Sequence, residues 1–225
     1  MTEPLNWESR CCKRAQDERV NALLDIPPGL VSMLSLPASG WCYEKQLAKA
    51  YPDIYWRFTG LEYDPQVFAH MQTPPTANAM FEAKHMSVQA AMEVLEPHDI
   101  VYLDYLGGWS ESVEADIRKM AALRRVRSQF LLVVKATRMS KNHGVCMDAL
   151  NSREAQIDWS TRASLTGKTR SRLAALPSRV EQLCYEEDLT LRFERGFLYD
   201  SWNTGRPDMF GPEIVMSFNV NKEIS

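Results

Sequence analysis

"DIVYLDYLGGWSES", residues 99–112, is the stretch on which the fold turns. Ile100, Val101, Tyr102, Leu103 and Tyr105 surround a single acid, Asp104; Gly107, Gly108, a tryptophan and a serine follow before a polar helical pattern begins. A short apolar run bounded by turn residues reads as a buried strand. An ionised carboxylate inside a core is costly unless it is paired or hydrogen-bonded. At the carboxyl end of a strand in an open parallel sheet, the same carboxylate faces the crevice where ligands sit. Asp104 is therefore a strand-end residue facing a site or a turn acid, and the neighbouring elements decide.

Outward from this strand the chain alternates between two periodicities. Residues 5–25 read as a helix stopped by "DIPPG" (25–29), because proline cannot continue a helix and disfavours αR at the residue before it. "LVSMLSLP" (30–37) is a first buried strand, followed by a Ser39-Gly40 turn and a helix from about Trp41 to Ala50. "IYWRFTGLEYDP" (54–65) is a second strand ending in Glu62, and "PQVFAHM" (65–71) a short helix. A third, weaker strand is expected near 79–84, then a helix over 87–97 with Ser87 as N-cap. After the strand of Asp104 comes a helix over 110–126, with acids in its first turn and bases in its last, as the macrodipole favours. "SQFLLVVKAT" (128–137) is the fifth strand.

Such alternation argues for a parallel sheet with helices on both faces. Residues 137–168 then lose periodicity, and a loop of that length is functional or disordered. A helix resumes over 170–188, kinked or divided at Pro177, and two strands (189–201 and 212–221) joined by "WNTGRPDMFG" read as an antiparallel hairpin. The expectation is one domain over residues 1–225, with a basic insertion or loop at about 137–170.

Composition narrows the class. The length of 225 residues and a hydrophobic fraction of 45% suit one α/β domain. No run approaches the roughly 20 apolar residues needed to span a bilayer, and "MTEPLNWESRCCKRAQDERV" has no apolar core of a secretory signal. The five cysteines are odd in number and form no CxxC pair. A disulfide framework or zinc site is not expected, and a reducing cytosol is the natural compartment. Four scattered histidines give no metal spacing. "TGKT" (166–169) is not a phosphate-binding loop, since position 162 is arginine where a glycine is needed, and no strand precedes it.

The net charge of −3 conceals an asymmetry: residues 118–179 hold 14 Lys and Arg against three acids, Asp148, Glu154 and Asp158. A local excess of that size suggests a polyanionic partner, with Arg138, Lys141, Lys168, Arg170 and Arg172 as phosphate contacts. The competing reading is a solvated helix face with a flexible basic loop.

From about residue 30 to 220 the order of elements resembles the class I S-adenosylmethionine-dependent methyltransferases. The resemblance implies a Rossmann-like, seven-stranded, mostly parallel sheet with an antiparallel C-terminal hairpin and helices on both faces. It also implies S-adenosyl-L-methionine as cofactor. The family's glycine-rich turn after the first strand is reduced here to "SLPASGWCYEKQLA", in which Ser39 and Gly40 remain and Pro37 intrudes. Its strand-end acid, which accepts from both ribose hydroxyls, matches Glu62 in "TGLEYDP", with Asp64 as a substitute. Met86 in "AKHMS" stands where the family flanks the adenine, beside His85. Asp104 would face both the cofactor and the substrate.

A second resemblance is to ribosomal RNA ribose 2'-O-methyltransferases, which use a Lys-Asp-Lys-Glu tetrad. It implies Lys13 in the leading helix, Asp104, Lys135 in "FLLVVKAT" and Glu213 in "GPEIVMSF". A ribose hydroxyl is a poor nucleophile; a lysine whose pKa a second cation lowers can act as its base, while carboxylates orient it. Trp109 and Tyr105 are either candidates to stack on a base or residues of the core. The expected function is thus methyl transfer to nucleic acid, RNA in particular. The alternatives are methylation of a base amine and a catalytically silent methyltransferase-fold module that binds nucleic acid or a protein.

Overall fold

The computed structural model describes residues 17–37, 40–71, 76–136, 151–160, 165–200 and 212–221. Lys13, Ser39, Arg138 and Lys141 lie outside them, as does most of the leading helix expected over 5–25. The elements run α1 (residues 17–21), β1 (Leu30–Ser35), α2 (Cys42–Ala50), β2 (Tyr55–Glu62), α3 (Pro65–Ala69), β3 (Ala79–His85), α4 (Val88–Val94), β4 (His98–Gly108), α5 (Glu111–Ala122), β5 (Val126–Lys135), a 3-10 turn (Glu154–Gln156), β6 (Ile157–Asp158), α6 (Gly167–Tyr185), β7 (Leu191–Asp200) and β8 (Pro212–Val220).

The strands form one sheet in the order β3-β2-β1-β4-β5-β8-β7-β6. β1 to β5 pair in parallel, β8 runs antiparallel between β5 and β7, and β6 adds parallel to β7. The described sheet thus has eight strands where the sequence suggested seven. The eighth is the two-residue β6, too short to carry a periodicity and held by its pairing with Gly196 and Phe197.

Alternation along each strand divides the core in two. Val88, Met92, Val113, Ile117, Leu173, Leu176 and Val180 of α4, α5 and α6 cover one face of the sheet. Val20 of α1 and Trp41, Tyr43 and Leu47 of the α2 region cover the other. On that second face Ile100 and Tyr102 lead up to Asp104, Leu131 and Val133 to Lys135, Phe197 to Tyr199, and Val215 follows Glu213.

Several boundaries differ from expectation for tertiary reasons. The α1 helix gives way to a turn at 22–23 rather than at Asp25. Gln129 of β5 captures the chain there, donating to the Leu23 carbonyl and accepting from the Asp25 amide. α6 starts at Gly167, capped by the Thr166 hydroxyl, and Pro177 sits inside it without dividing it. β4 does not stop at Asp104. It continues to Gly108 through a register irregularity between those two residues, which brings Gly108 opposite Lys135.

Candidate functional site

β1, β2 and β3 step to one side of the sheet, and β4 begins on the other side of β1. The strand order therefore reverses between β1 and β4, where an open α/β sheet forms a ligand crevice at the carboxyl ends of its strands. Glu62 ends β2, Met86 follows β3, Gly40 lies beyond β1, Asp104 lies in the last turns of β4, and Lys135 ends β5. All five stand at this same end.

Glu62 and Asp64 divide their work. Asp64 Oδ1 accepts from the Gln66 and Val67 amides and caps α3. Glu62 Oε1 accepts from the Asp64 amide at 2.7 Å, while its Oε2 has no partner among the described residues. The substitute acid is thus spent on a helix cap, and Glu62 keeps acceptor capacity at the strand end. His85 is committed elsewhere: its ring stacks on Phe68 at 5.1 Å and its Nε2 lies 3.0 Å from the Tyr63 carbonyl. Met86 is half-buried and packs against the core, its amide bonded to the Glu62 carbonyl.

The turn after β1 departs from a glycine cradle. Trp41 occupies the left-handed region (φ 52°, ψ 40°) at the start of α2, an uncommon place for a bulky residue. Its indole is fully buried. The glycine that close packing demands is Gly60 in β2, where a Cβ would come within 2.5 Å of both Pro37 Cγ and Trp41 Cη2. A Cβ at Gly40 would meet only Cys42 Sγ, at 3.3 Å. An acid on β2 with one oxygen unpartnered among the described residues and a carboxylate on β4 across the reversal point fit a ribosyl cofactor such as S-adenosylmethionine.

Beside the crevice, Lys135 is paired in register with Glu213 of β8, and Glu213 with Tyr199 of β7. Directly opposed residues of antiparallel strands project to the same face, so the three side chains form a row across three strands. All three are buried. Asp104 is paired with Val133, two residues before Lys135, and so belongs to the same face one step inward. The Tyr199 hydroxyl donates to Glu213 Oε2, and the Tyr102 hydroxyl donates to Asp104 Oδ2 at 3.4 Å. Burial, then the adjacent Asp104 charge, holds the Tyr102 phenol well above its ordinary range, so it remains a donor at neutral pH. Neither tyrosine was singled out from the sequence. The signal was the two-residue spacing of Tyr102 before Asp104 and of Tyr199 after Phe197, which shares a strand face.

Two expectations are corrected. Trp109 is no base-stacking platform: it is 2% exposed, lies in the core, and donates its indole N–H to Glu114 Oε1. Tyr105 is tied through its hydroxyl to Asp116 Oδ2 at 2.7 Å. Within the basic segment 118–179, several of the described bases are paired with acids. Arg118 pairs with Glu186 and Glu187, Lys119 with Glu93, Arg127 with Asp99, Arg153 with Glu181, and Arg179 with Glu114. Each of these acids lies at least 26 residues from its base in sequence.

Arg170 is held by Glu154 at 2.7 Å and lies over the Trp159 ring. Lys168 and Arg172 have no ion-pair partner among the described residues. They lie in the first two turns of α6, whose other end approaches the start of β7, where Glu181 accepts from the Phe193 amide. β7 runs in the same sense as β5. The N-terminus of the 19-residue α6, about 28 Å from its other end, therefore lies toward the crevice end. A groove of about 570 Å³ lined by Arg57, Thr59, Glu82, Glu96 and His98 opens at the other end of the sheet and has no part in this constellation.

No protein-family model matches the chain, and no curated protein matches it in sequence. Solved structures do. A Listeria monocytogenes protein assigned as an S-adenosylmethionine-dependent methyltransferase aligns over 95% of this chain and 100% of its own, at 11% identity and a TM-score of 0.53. The YcgJ protein of Bacillus subtilis aligns over 93% and 99%, at 9% identity and a TM-score of 0.51. A fibrillarin from Aeropyrum pernix with bound S-adenosyl-L-methionine aligns over 90% and 74%, at 13% identity and a TM-score of 0.45, a likeness that bears on neither cofactor nor substrate. The sheet order, the antiparallel final strand and the first two of these alignments agree: the chain has the Rossmann-like fold of the class I S-adenosylmethionine-dependent methyltransferases.

Proposed function

We propose that the chain is an S-adenosylmethionine-dependent methyltransferase acting on nucleic acid, RNA in particular, at a ribose 2'-hydroxyl. The observation that carries this reading is the register that sets Lys135 beside Glu213 and one step from Asp104, on one face, at the carboxyl end of the sheet. Glu62, Gly40, Met86 and Asp104 would hold the cofactor, with Glu62 accepting from its ribose. When bound, the cofactor supplies an electrophilic methyl group. Lys135 takes the proton of the ribose hydroxyl, and Asp104 and Glu213 hold the amine toward it, as carboxylates orient a basic group in a low-dielectric site. Accepting a proton requires the neutral amine. Lys168 and Arg172, with Arg138 and Lys141 of the segment between β5 and α6, would contact phosphates. The free, buried thiol of Cys184 accords with a reducing cytosol as the place of action.

The test is calorimetry with S-adenosylmethionine, followed by transfer of labelled methyl groups to structured and single-stranded RNA. Lys135→Ala should abolish transfer while leaving cofactor affinity nearly intact, because its part is played in the transition state. Lys135→Arg should not rescue, because a guanidinium keeps its proton. Absence of cofactor binding by the wild type would overturn the reading and leave a methyltransferase-fold module without the reaction. The buried, left-handed Trp41 in place of a glycine cradle favours that second reading.

A further inference from the structure

Glu213 is a buried carboxylate whose orientation the site depends on. Its backbone is fixed between two strands, facing Lys135 on one side and Tyr199 on the other. The side chain has three rotatable bonds, and a buried carboxylate must find donors or pay its desolvation. The Tyr199 hydroxyl supplies one, at Oε2. The Tyr199 ring belongs to the core under α1 and α2, so the hydroxyl is presented from a rigid platform with only two torsions.

The neighbouring acid is treated the same way. Tyr102 donates to Asp104, and its ring leans on Tyr43 of α2, 5.1 Å between centroids and tilted by 59°. The charged or titratable groups gathered here among the described residues are Asp17 and Arg19 of α1, Tyr43 and Glu44 of α2, Tyr102 and Asp104 of β4, Lys135 of β5, Tyr199 of β7 and Glu213 of β8.

We infer that Tyr199 is a positioning residue of this site: its hydroxyl fixes the Glu213 carboxylate in the orientation that serves Lys135. The inference rests on the reading of Lys135 given above and adds a residue that neither the tetrad nor the cofactor contacts include. It predicts a defined chemical consequence, because a hydrogen bond donated to a carboxylate favours its charged form.

The experiment compares wild type with Tyr199→Phe, which keeps the ring and removes only the hydroxyl. Glutamate carbon-13 labelled at the carboxyl carbon reports each titration by NMR, and Glu213→Gln identifies the Glu213 signal by its loss. In Tyr199→Phe the Glu213 carboxyl should titrate at higher pH while the Glu62 signal stays in place. The turnover of methyl transfer should fall about ten- to hundredfold, with KM and cofactor affinity within twofold. The acidic limb of the pH–rate profile should move up with the Glu213 titration.

A double-mutant cycle on stability is the second measurement. In Glu213→Leu, whose side chain cannot accept the hydrogen bond, removing the Tyr199 hydroxyl should cost much less than it does in wild type. An unshifted Glu213 titration, or additive losses in the cycle, overturns the brace whatever the activity. A shifted titration in a chain that transfers no methyl group overturns the reading of the reaction and leaves the brace standing.

Discussion

Glu62 and Asp64 are two carboxylates two residues apart, and only their hydrogen bonds tell them apart. Asp64 accepts from the first-turn amides of α3, so Asp64→Ala should cost about 1 kcal/mol of stability and leave cofactor affinity unchanged. Glu62→Ala should instead weaken cofactor binding by about 1.5–3 kcal/mol, the range for hydrogen bonds to a charged group, read by calorimetry. Equal affinity in a folded Glu62→Ala protein removes it from the site. His98 offers a second residue-scale test. It is buried, its Nε2 lies 3.1 Å from Thr59 Oγ1, and burial, followed by the charge of Arg57, lowers its pKa to about 4. Above pH 6.5 folded and unfolded chains both hold neutral imidazole. Between 6.5 and about 4 only the unfolded chain takes up the proton, so stability falls as pH falls through that window. Urea unfolding at pH 4.5 should show a loss of about 2–3 kcal/mol from this group relative to pH 7, and His98→Gln should remove that part of the pH dependence.

Elements meet where a side chain is missing. β2 approaches the turn after β1 only because position 60 has no Cβ: an added methyl carbon would stand 2.5 Å from both Pro37 and the Trp41 indole. The indole itself cannot yield easily, since it is fully buried and edge-on to Phe81 at 5.3 Å. Gly60→Ala should therefore destabilise the protein by about 1–3 kcal/mol, the usual cost of overpacking, despite alanine's better fit to a strand than glycine. Gly107→Ala is the control, because a Cβ there meets nothing within 4 Å among the described residues. Chemical denaturation of both variants decides it. Equal stability would mean that the turn after β1 shifts aside without cost.

Charge is a property of the whole molecule here. Among the described residues, six of the bases between 118 and 179 are paired with acids, and the Arg179–Glu114 pair is only 12% and 15% exposed. Lys168 and Arg172, without an ion-pair partner among the described residues, sit at the start of α6, toward the crevice end. If RNA is the partner, binding should weaken with salt by a log–log slope of about −0.7 per phosphate contact on single strands. Lys168→Ala and Arg172→Ala should each flatten that slope. Arg170→Ala should change it less, because its guanidinium is already committed to Glu154 and Trp159. A salt-insensitive complex, or equal effects from all three replacements, would return α6 to the role of solvated surface.

The primary structure by itself determined the alternation of strands and helices, the place of the reversal-point residues and the candidate acids, because periodicity, caps and prolines act within a few residues of chain. Asp104, Glu62 and Lys135 were legible as strand-end residues for that reason, and the antiparallel hairpin followed from two alternating runs near the carboxyl terminus. Pairing across distant strands has no local signature. Only the tertiary structure set Lys135 against Glu213 and Tyr199, extended β4 past Asp104 to Gly108, and enlisted Gln129 to end α1. The same holds for charge and burial. A run of bases is visible in sequence, but its neutralisation depends on which helix packs beside which, and Trp109 could be assigned to the core only once α5 had folded over it with Glu114 waiting for its indole proton.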